Sequence, residues 1–203
     1  MIKNIVFDFG NVLIKYDPTY IVSQYVSDPE DLKLIVEVLF DRLYWDKLDD
    51  DTITDEELVR SACARMPERL HEISKEIYYA WPHHLPAIPG MWELVRYVKE
   101  KYGVKTYLLS NVGSYFVKFK DEFSVFSAME NCIFSATAGH SKPNRDMYEY
   151  LLETCGIAPE ETFFVDDNEK NIAAAREFGI DGYVFDGDVA ALKTKIEKIL
   201  EQF

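Results

Sequence analysis

The pattern that most constrains this chain returns five times: a short run of β-branched and aromatic residues, then a stretch of helical spacing. The runs are Ile2–Phe7 (IKNIVF), Val104–Leu109 (VKTYLL), Asn131–Phe134 (NCIF), Thr162–Val165 (TFFV) and Gly182–Phe185 (GYVF). Runs this apolar have no polar face to offer to water, so they predict strands buried on both sides. Strand, helix, strand, helix predicts an α/β fold with a parallel sheet between two helical layers. The helices carry boundary signals. Gly90–Lys101 places Trp92, Val95 and Val98 at helical spacing with Gly103 just beyond, and Met147–Leu152 stops before Gly156. Asn168–Phe178 opens on a residue suited to the N-cap and closes before Gly179. Its free amides should face whatever binds beyond the preceding strand.

One stretch breaks the alternation. From Tyr16 to about Leu85 there are helical signals and no convincing strand. Asp28-Pro29 begins a predicted helix at Leu32–Arg42, Thr54 with Glu57 makes a capping-box pattern before Leu58–Arg65, and Ile73–Trp81 has apolar spacing again. The expected organisation is therefore a core of residues 1–15 and 86–203 carrying an all-helical insertion at 16–85. Pro82, Pro86 and Pro89 mark its return.

At 203 residues the chain can bury a sizeable core, and its formal charge of −14 argues against capture by nucleic acid or anionic lipid. No apolar run approaches the roughly 18 residues of a membrane span. The opening MIKNIVFDFG lacks the order of a secretion signal, because Asp8 interrupts the apolar stretch, and a cytoplasmic protein is expected. Cys63, Cys132 and Cys155 fit neither a disulfide framework nor a zinc site and read as small core residues.

Four features fall at predicted carboxyl ends of strands: Asp8, Ser110-Asn111, Lys142 and Asp166-Asp167. In an open α/β sheet those ends line the ligand crevice, so segments far apart in sequence can meet there. Together they suit phosphoryl transfer through a carboxylate. Asp8 would attack phosphorus and form an aspartyl-phosphate that water then hydrolyses. An anion approaching a phosphate dianion needs its charge screened. Asp8 and Asp167 supply hard oxygen ligands for Mg²⁺, Lys142 a fixed positive charge, and the Ser110 hydroxyl with nearby amides the donors to phosphoryl oxygens. The expected partner is a small phosphorylated molecule.

These segments, FDFGNVL at 7–13, LLSN at 108–111, SKP at 141–143 and FFVDDNEKNIAAAREFGI at 163–180, resemble the four motifs of the haloacid dehalogenase-like hydrolases, in order and across the whole chain. The resemblance implies a Rossmann-like core, with the helical insertion as a cap that closes over the site and selects substrate. It makes Asp8 the nucleophile and a metal ligand, Asp167 the second carboxylate ligand, and Asp166 an outer partner of the metal or of Lys142. Ser110, Asn111 and Lys142 would hold phosphate. Most phosphatases of this superfamily carry a proton-donating Asp two residues after the nucleophile. Here that residue is Gly10, which keeps only the backbone carbonyl that serves as a metal ligand. Loss of that acid should slow alkyl phosphates most. The F-D-x-G-N-V signature and the segment Tyr44–Glu57 are also similar to a branch that includes α-D-glucose-1-phosphate phosphatase, so a sugar phosphate such as glucose 1-phosphate is the expected substrate.

Other residues have plainer readings. Trp45 could stack on a sugar, but a lone Trp in a helical insertion more often packs its interior. Asp49–Asp51 read as solvated acids, His83-His84 as connector residues, and His140 as a loop residue. Three rival functions remain. A dehalogenase would attack carbon with the same Asp and gain nothing from Asp166-Asp167. A phospho-accepting receiver domain places its acid pair on the first strand, the reverse of the order here. A silent phosphate-binding or regulatory protein would have lost turnover with Gly10.

Overall fold

The computed structural model describes residues 1–201, so Gln202 and Phe203, at the end of the expected core segment, lie outside the described residues. Each apolar run becomes a strand, with ends shifted by at most two residues: β1 (Asn4–Phe7), β2 (Lys105–Ser110), β3 (Asn131–Phe134), β4 (Thr162–Asp166) and β5 (Asp181–Val184). All pair in parallel in the order β3-β2-β1-β4-β5. Side chains alternate across the sheet. Ile5, Phe7, Leu108, Phe163 and Val165 enter one hydrophobic cluster, and Val6, Tyr107, Leu109 and Phe164 the other.

Between β1 and β2 the chain forms α1 (Pro18–Ser23), α2 (Pro29–Leu39), α3 (Arg42–Asp49), α4 (Asp55–Ala64) and α5 (His71–Ala80). Carboxylates or hydroxyls start most of them. Asp17 and Asp28 accept amide hydrogen bonds ahead of prolines, and Thr54 and Glu57 close the expected capping box. Such caps contribute about 1 kcal/mol each. The helix expected over 32–42 is two helices. The apolar spacing runs on through Phe40, but the Asp41 carboxylate accepts from Leu43 N at 3.0 Å and so starts α3 on a new axis. The buried residues of this segment, Ile21, Ile35, Leu39, Leu58 and Tyr78 among them, belong to the same cluster as Phe7 and Leu108. The entering and leaving chains lie side by side: Lys15 N donates to Pro86 O at 2.8 Å and Ile88 N to Leu13 O at 3.0 Å.

α6 (Met91–Tyr102) buries Met91, Leu94, Val95 and Val98 and ends on Gly103 at φ 67°, a left-handed cap that glycine adopts without a Cβ penalty. Then come α7 (Ser114–Val117), α8 (Ser135–Ala138), α9 (Arg145–Cys155), α10 (Glu169–Glu177) and α11 (Val189–Leu200). α6 and α11 pack into the Phe7 cluster, while Met147, Tyr148 and Leu151 of α9 and Ile172 and Ala175 of α10 fill the Val6 cluster. Each fully buried aliphatic or aromatic side chain contributes about 1.5–3 kcal/mol, which fixes the sheet between its helical layers. The three cysteines are unpaired and half-buried, at the margins of the core rather than within it. Among the described residues, no helix is long and apolar enough to cross a membrane.

Candidate active site

Parallel strands bring their carboxyl ends to one edge, and the chain order reverses about β1, which opens a crevice there. Phe7 is in register with Leu108 and Val165, so Asp8 emerges beside the ends of β2 and β4, where Ser110 and Asp166 are the last strand residues. Lys142 arrives differently from expectation. It follows α8 on the loop toward α9 rather than the end of β3, because four residues of helix intervene. Its Nζ lies 2.8 Å from Asp8 Oδ1 and 2.7 Å from Asp166 Oδ2, with the side chain almost wholly buried. Asn111 holds its backbone: Nδ2 donates to Lys142 O and Lys142 N donates to Oδ1, both at 2.8 Å. The Asn111 amide is thus spent on positioning Lys142, which leaves only its backbone N–H for a ligand.

Asp166 is fully buried and saturated. Besides Lys142, it accepts from Asn168 N at 2.8 Å and from Asn171 Nδ2 at 3.0 Å on each oxygen. Asp167 is exposed, and Asn11 Nδ2 reaches its Oδ2 at 3.3 Å. Asn11 adopts φ 55°, a conformation Asn tolerates, and its Oδ1 accepts from Tyr16 N, which ties the turn after β1 to the end of β4. Asn11 and Asn171 were not singled out in the sequence. A signal existed for Asn171: it is polar on the buried face of α10, one residue before Ile172.

Burial pushes Asp8 up to about 7; the Lys142 ammonium opposes this and Asp166 adds to it. Burial would lower Lys142, but Asp166 and Asp8 outweigh it and hold the ammonium charged. Asp167, exposed yet partly desolvated by the cavity, is raised by that desolvation and by Asp166, against Asn11 and Lys142. Carboxylate oxygens of Asp8, Asp166 and Asp167 lie within 4.8 Å of one another, a hard-oxygen set that fits Mg²⁺. Because Asp166 is already saturated, Asp8 and Asp167 are the carboxylates with lone pairs to give. Gly10 and Ser110 border the same cavity of about 820 Å³, as do Asn168 and Glu169 at the start of α10.

The opposite wall belongs to the helical segment. Arg42, Trp45, Asp46, Asp49 and Asp50 line it together with Trp81. Asp49 is half-buried rather than the solvated acid expected from the sequence, because the end of α3 is seated on the core, whereas Asp50 and Asp51 are exposed as expected. Gly113 approaches Leu48 so closely that a Cβ there would lie 2.9 Å from Leu48 Cγ. Ser135 Oγ donates to Asp49 O at 2.7 Å, Ser141 Oγ donates to Asp50, and Ser114 Oγ donates to Asp51. Trp45 packs as the plainer reading has it, stacked on Phe40 with Nε1 donating to Leu39 O at 2.7 Å, yet it also borders the cavity. His83 pairs with Glu122 and His84 with Tyr25, in separate directions, and exposed His140 faces Asp146.

Comparison with known proteins adds identity to this geometry. The family model described as haloacid dehalogenase-like hydrolase matches residues 2–179. The chain is 26% identical over 196 residues to a D-ribitol-5-phosphate phosphatase of Bacteroides thetaiotaomicron, covering 90% of this chain and 91% of that protein. A sesquiterpene phosphatase of Aspergillus oryzae is 30% identical over 93 residues, covering 45% of this chain and 47% of that protein. Among solved structures, a HAD family enzyme of B. thetaiotaomicron in complex with magnesium and inorganic phosphate superposes with a TM-score of 0.73 and 26% identity. That match covers 95% of this chain and 99% of the other. L-2-haloacid dehalogenase of Xanthobacter autotrophicus, at 17% identity and a TM-score of 0.68 over 90% of this chain and 76% of that one, shares the fold.

Proposed function

The chain belongs to the haloacid dehalogenase-like hydrolases and is a magnesium-dependent phosphoric monoester hydrolase, and we propose that it cleaves a sugar or polyol phosphate through an aspartyl-phosphate on Asp8. The observation that carries this reading is the Asp8 carboxylate beside a buried ammonium, with Asp167 close by, at the floor of a cavity. Asp8 Oδ attacks phosphorus as the ester oxygen departs, and water then attacks the aspartyl-phosphate to release inorganic phosphate. Lys142 favours the ionised form of Asp8 against its burial and meets the phosphoryl oxygens, Ser110 and the Asn111 backbone N–H donate to them, and Asp166 fixes Lys142. Asp8, Asp167 and the Gly10 carbonyl would hold magnesium, which when bound supplies the charge that screens one anion from the other.

Residues 16–85 serve as the cap over the core formed by 1–15 and 86–203, with the paired segments 13–15 and 86–88 as its stem. The cap wall brings the carboxylates of Asp46, Asp49 and Asp50, and Arg42 is already engaged with Asp46 at 2.6 Å. Such a wall repels a carboxylated leaving group and offers acceptors to hydroxyls. A neutral sugar or polyol suits it better than glycolate, and glucose 1-phosphate and ribitol 5-phosphate are the first candidates. The acid pair at Asp166-Asp167 speaks against attack on a neutral carbon-halogen centre.

The test is phosphate release from a panel holding glucose 1-phosphate, ribitol 5-phosphate and phosphoglycolate, with and without EDTA. The reading expects metal-dependent turnover with a higher kcat/KM for the neutral polyols. No turnover of any phosphate would favour a silent binding protein instead. A preference for phosphoglycolate would overturn the substrate class alone.

A further inference from the structure

An alkoxide is a poor leaving group, so a phosphatase that cleaves alkyl phosphates needs a proton source on the leaving-group side. Gly10, next but one to Asp8, brings no side chain to that side. The remaining candidates are the titratable groups of the cavity wall, and most are committed elsewhere. Lys142 is shared between Asp8 and Asp166, Asp46 is exposed and paired with Arg42, and Asp50 accepts from Ser141 Oγ. Burial drives the Tyr16 phenol far above its usual range, so it stays neutral but is a weak acid.

Asp49 is different on three counts. It is half-buried on the cavity that Asp8 also lines, while Asp46 and Asp50, the other acids of this wall, are exposed. Its backbone is fixed to the core by Ser135 and by the Leu48–Gly113 contact, so its place relative to the Ser110 loop is set by packing rather than by a mobile side chain. Burial also pushes its carboxyl up to about 7, against Arg42 and the Gly113 amide and with Asp46 and Asp50 adding to it, so it can hold and release a proton near neutral pH. Trp81, on the same wall, has a buried Nε1 with no partner among the described residues, a donor left for a ligand oxygen.

We propose that Asp49 is the general acid and base of the reaction: it protonates the leaving oxygen in the first step and deprotonates the attacking water in the second. This rests on the phosphatase reading above. In the first step the Asp8 Oδ–P bond forms, the P–O ester bond breaks with its electron pair going to oxygen, and the Asp49 O–H proton moves to that oxygen to give the alcohol. In the second, the water O–P bond forms and the Asp8 O–P bond breaks. One water proton returns to the Asp49 carboxylate, which restores the starting state with inorganic phosphate as product.

The experiment compares the intact chain with Asp49→Asn on aryl phosphates whose phenols run from 4-nitrophenol, which departs as a stable anion, to 4-methoxyphenol, which needs a proton. In the unaltered enzyme, kcat/KM should depend weakly on the leaving group. In Asp49→Asn the dependence should steepen, with the methoxyphenyl ester losing about 10²-fold or more and the nitrophenyl ester far less. Parallel lines for the two enzymes would overturn the proposal. So would a steep dependence in the unaltered enzyme, a result that stands even if the variant does not fold. If neither enzyme nor any ester shows turnover, it is the phosphatase reading that fails, and the two failures are thereby told apart.

Discussion

The two walls of the cavity are built on opposite principles. On the sheet side, the Lys142 side chain is 1% exposed between two carboxylates, and Asp166, at 0%, has every oxygen satisfied. On the helical side, the ion pair of Arg42 and Asp46 has side chains 76% and 58% exposed. An exposed pair contributes about 0–1 kcal/mol, whereas removing one partner of a buried pair costs about 3–5 kcal/mol. The difference teaches where change is tolerated. On the proposed reading, the nucleophile and its charge partners sit on the wall that cannot be altered without loss of stability, and the contacts that select substrate sit on the wall that can. Only the end of α3 crosses between the two regimes, held to the core by Ser114, Ser135 and Ser141.

That contrast can be broken in four places. The largest effect is expected for Asp8→Asn, which keeps the shape of the floor and should lower kcat by about 10⁴-fold or more with an unchanged circular dichroism spectrum. Turnover above about one per cent of the original would remove the nucleophile from the sheet wall. Lys142→Ala leaves Asp8 and Asp166 facing each other in a buried site and should cost about 3–5 kcal/mol in urea unfolding. A loss below about 1 kcal/mol would mean the two walls differ less than their burial indicates.

Ser135→Ala cuts the link between the walls. Its hydroxyl accepts from Val112 N at 2.8 Å and donates to Asp49 O, so the variant should lose about 1–3 kcal/mol and raise KM, as the end of α3 loosens. Unchanged KM would show the helical wall positioned without that link. The smallest effect is a pH slope. The Asp49 carboxyl is raised from 3.8 to about 7 in the folded chain, so between those values the folded state binds more protons than the unfolded one. Stability contributed by this group is therefore full at low pH and lost as pH rises toward 7. Thermal unfolding of Asp49→Asn should show a flatter profile over that window, and identical profiles would show that the carboxyl is not held in its raised state.

Legibility in the sequence follows the same divide. IKNIVF and TFFV announce strands because both faces are buried, and Asp8, Ser110 and Asp166 could be brought together because strand ends must share an edge. What local pattern cannot carry was missed. The apolar spacing of LKLIVEVLFDR runs straight through the break that the Asp41 cap imposes. Asp49 reads as a surface acid like Asp50 and Asp51, yet the docking of α3 on Gly113, a contact between residues far apart in the chain, leaves it half-buried at the cavity. The sequence presents Asn111 and Lys142 alike as phosphate ligands, while the two hydrogen bonds between the Asn111 side-chain amide and the Lys142 backbone are visible only in three dimensions.

The most direct test is a crystal structure of the chain grown with magnesium and beryllium fluoride, a mimic of the phosphoryl group that bonds to a nucleophilic carboxylate. The account predicts beryllium bonded to an Asp8 oxygen, its fluorides met by Lys142 and Ser110. An adduct on any other residue, or none under conditions where the enzyme turns over, would contradict it.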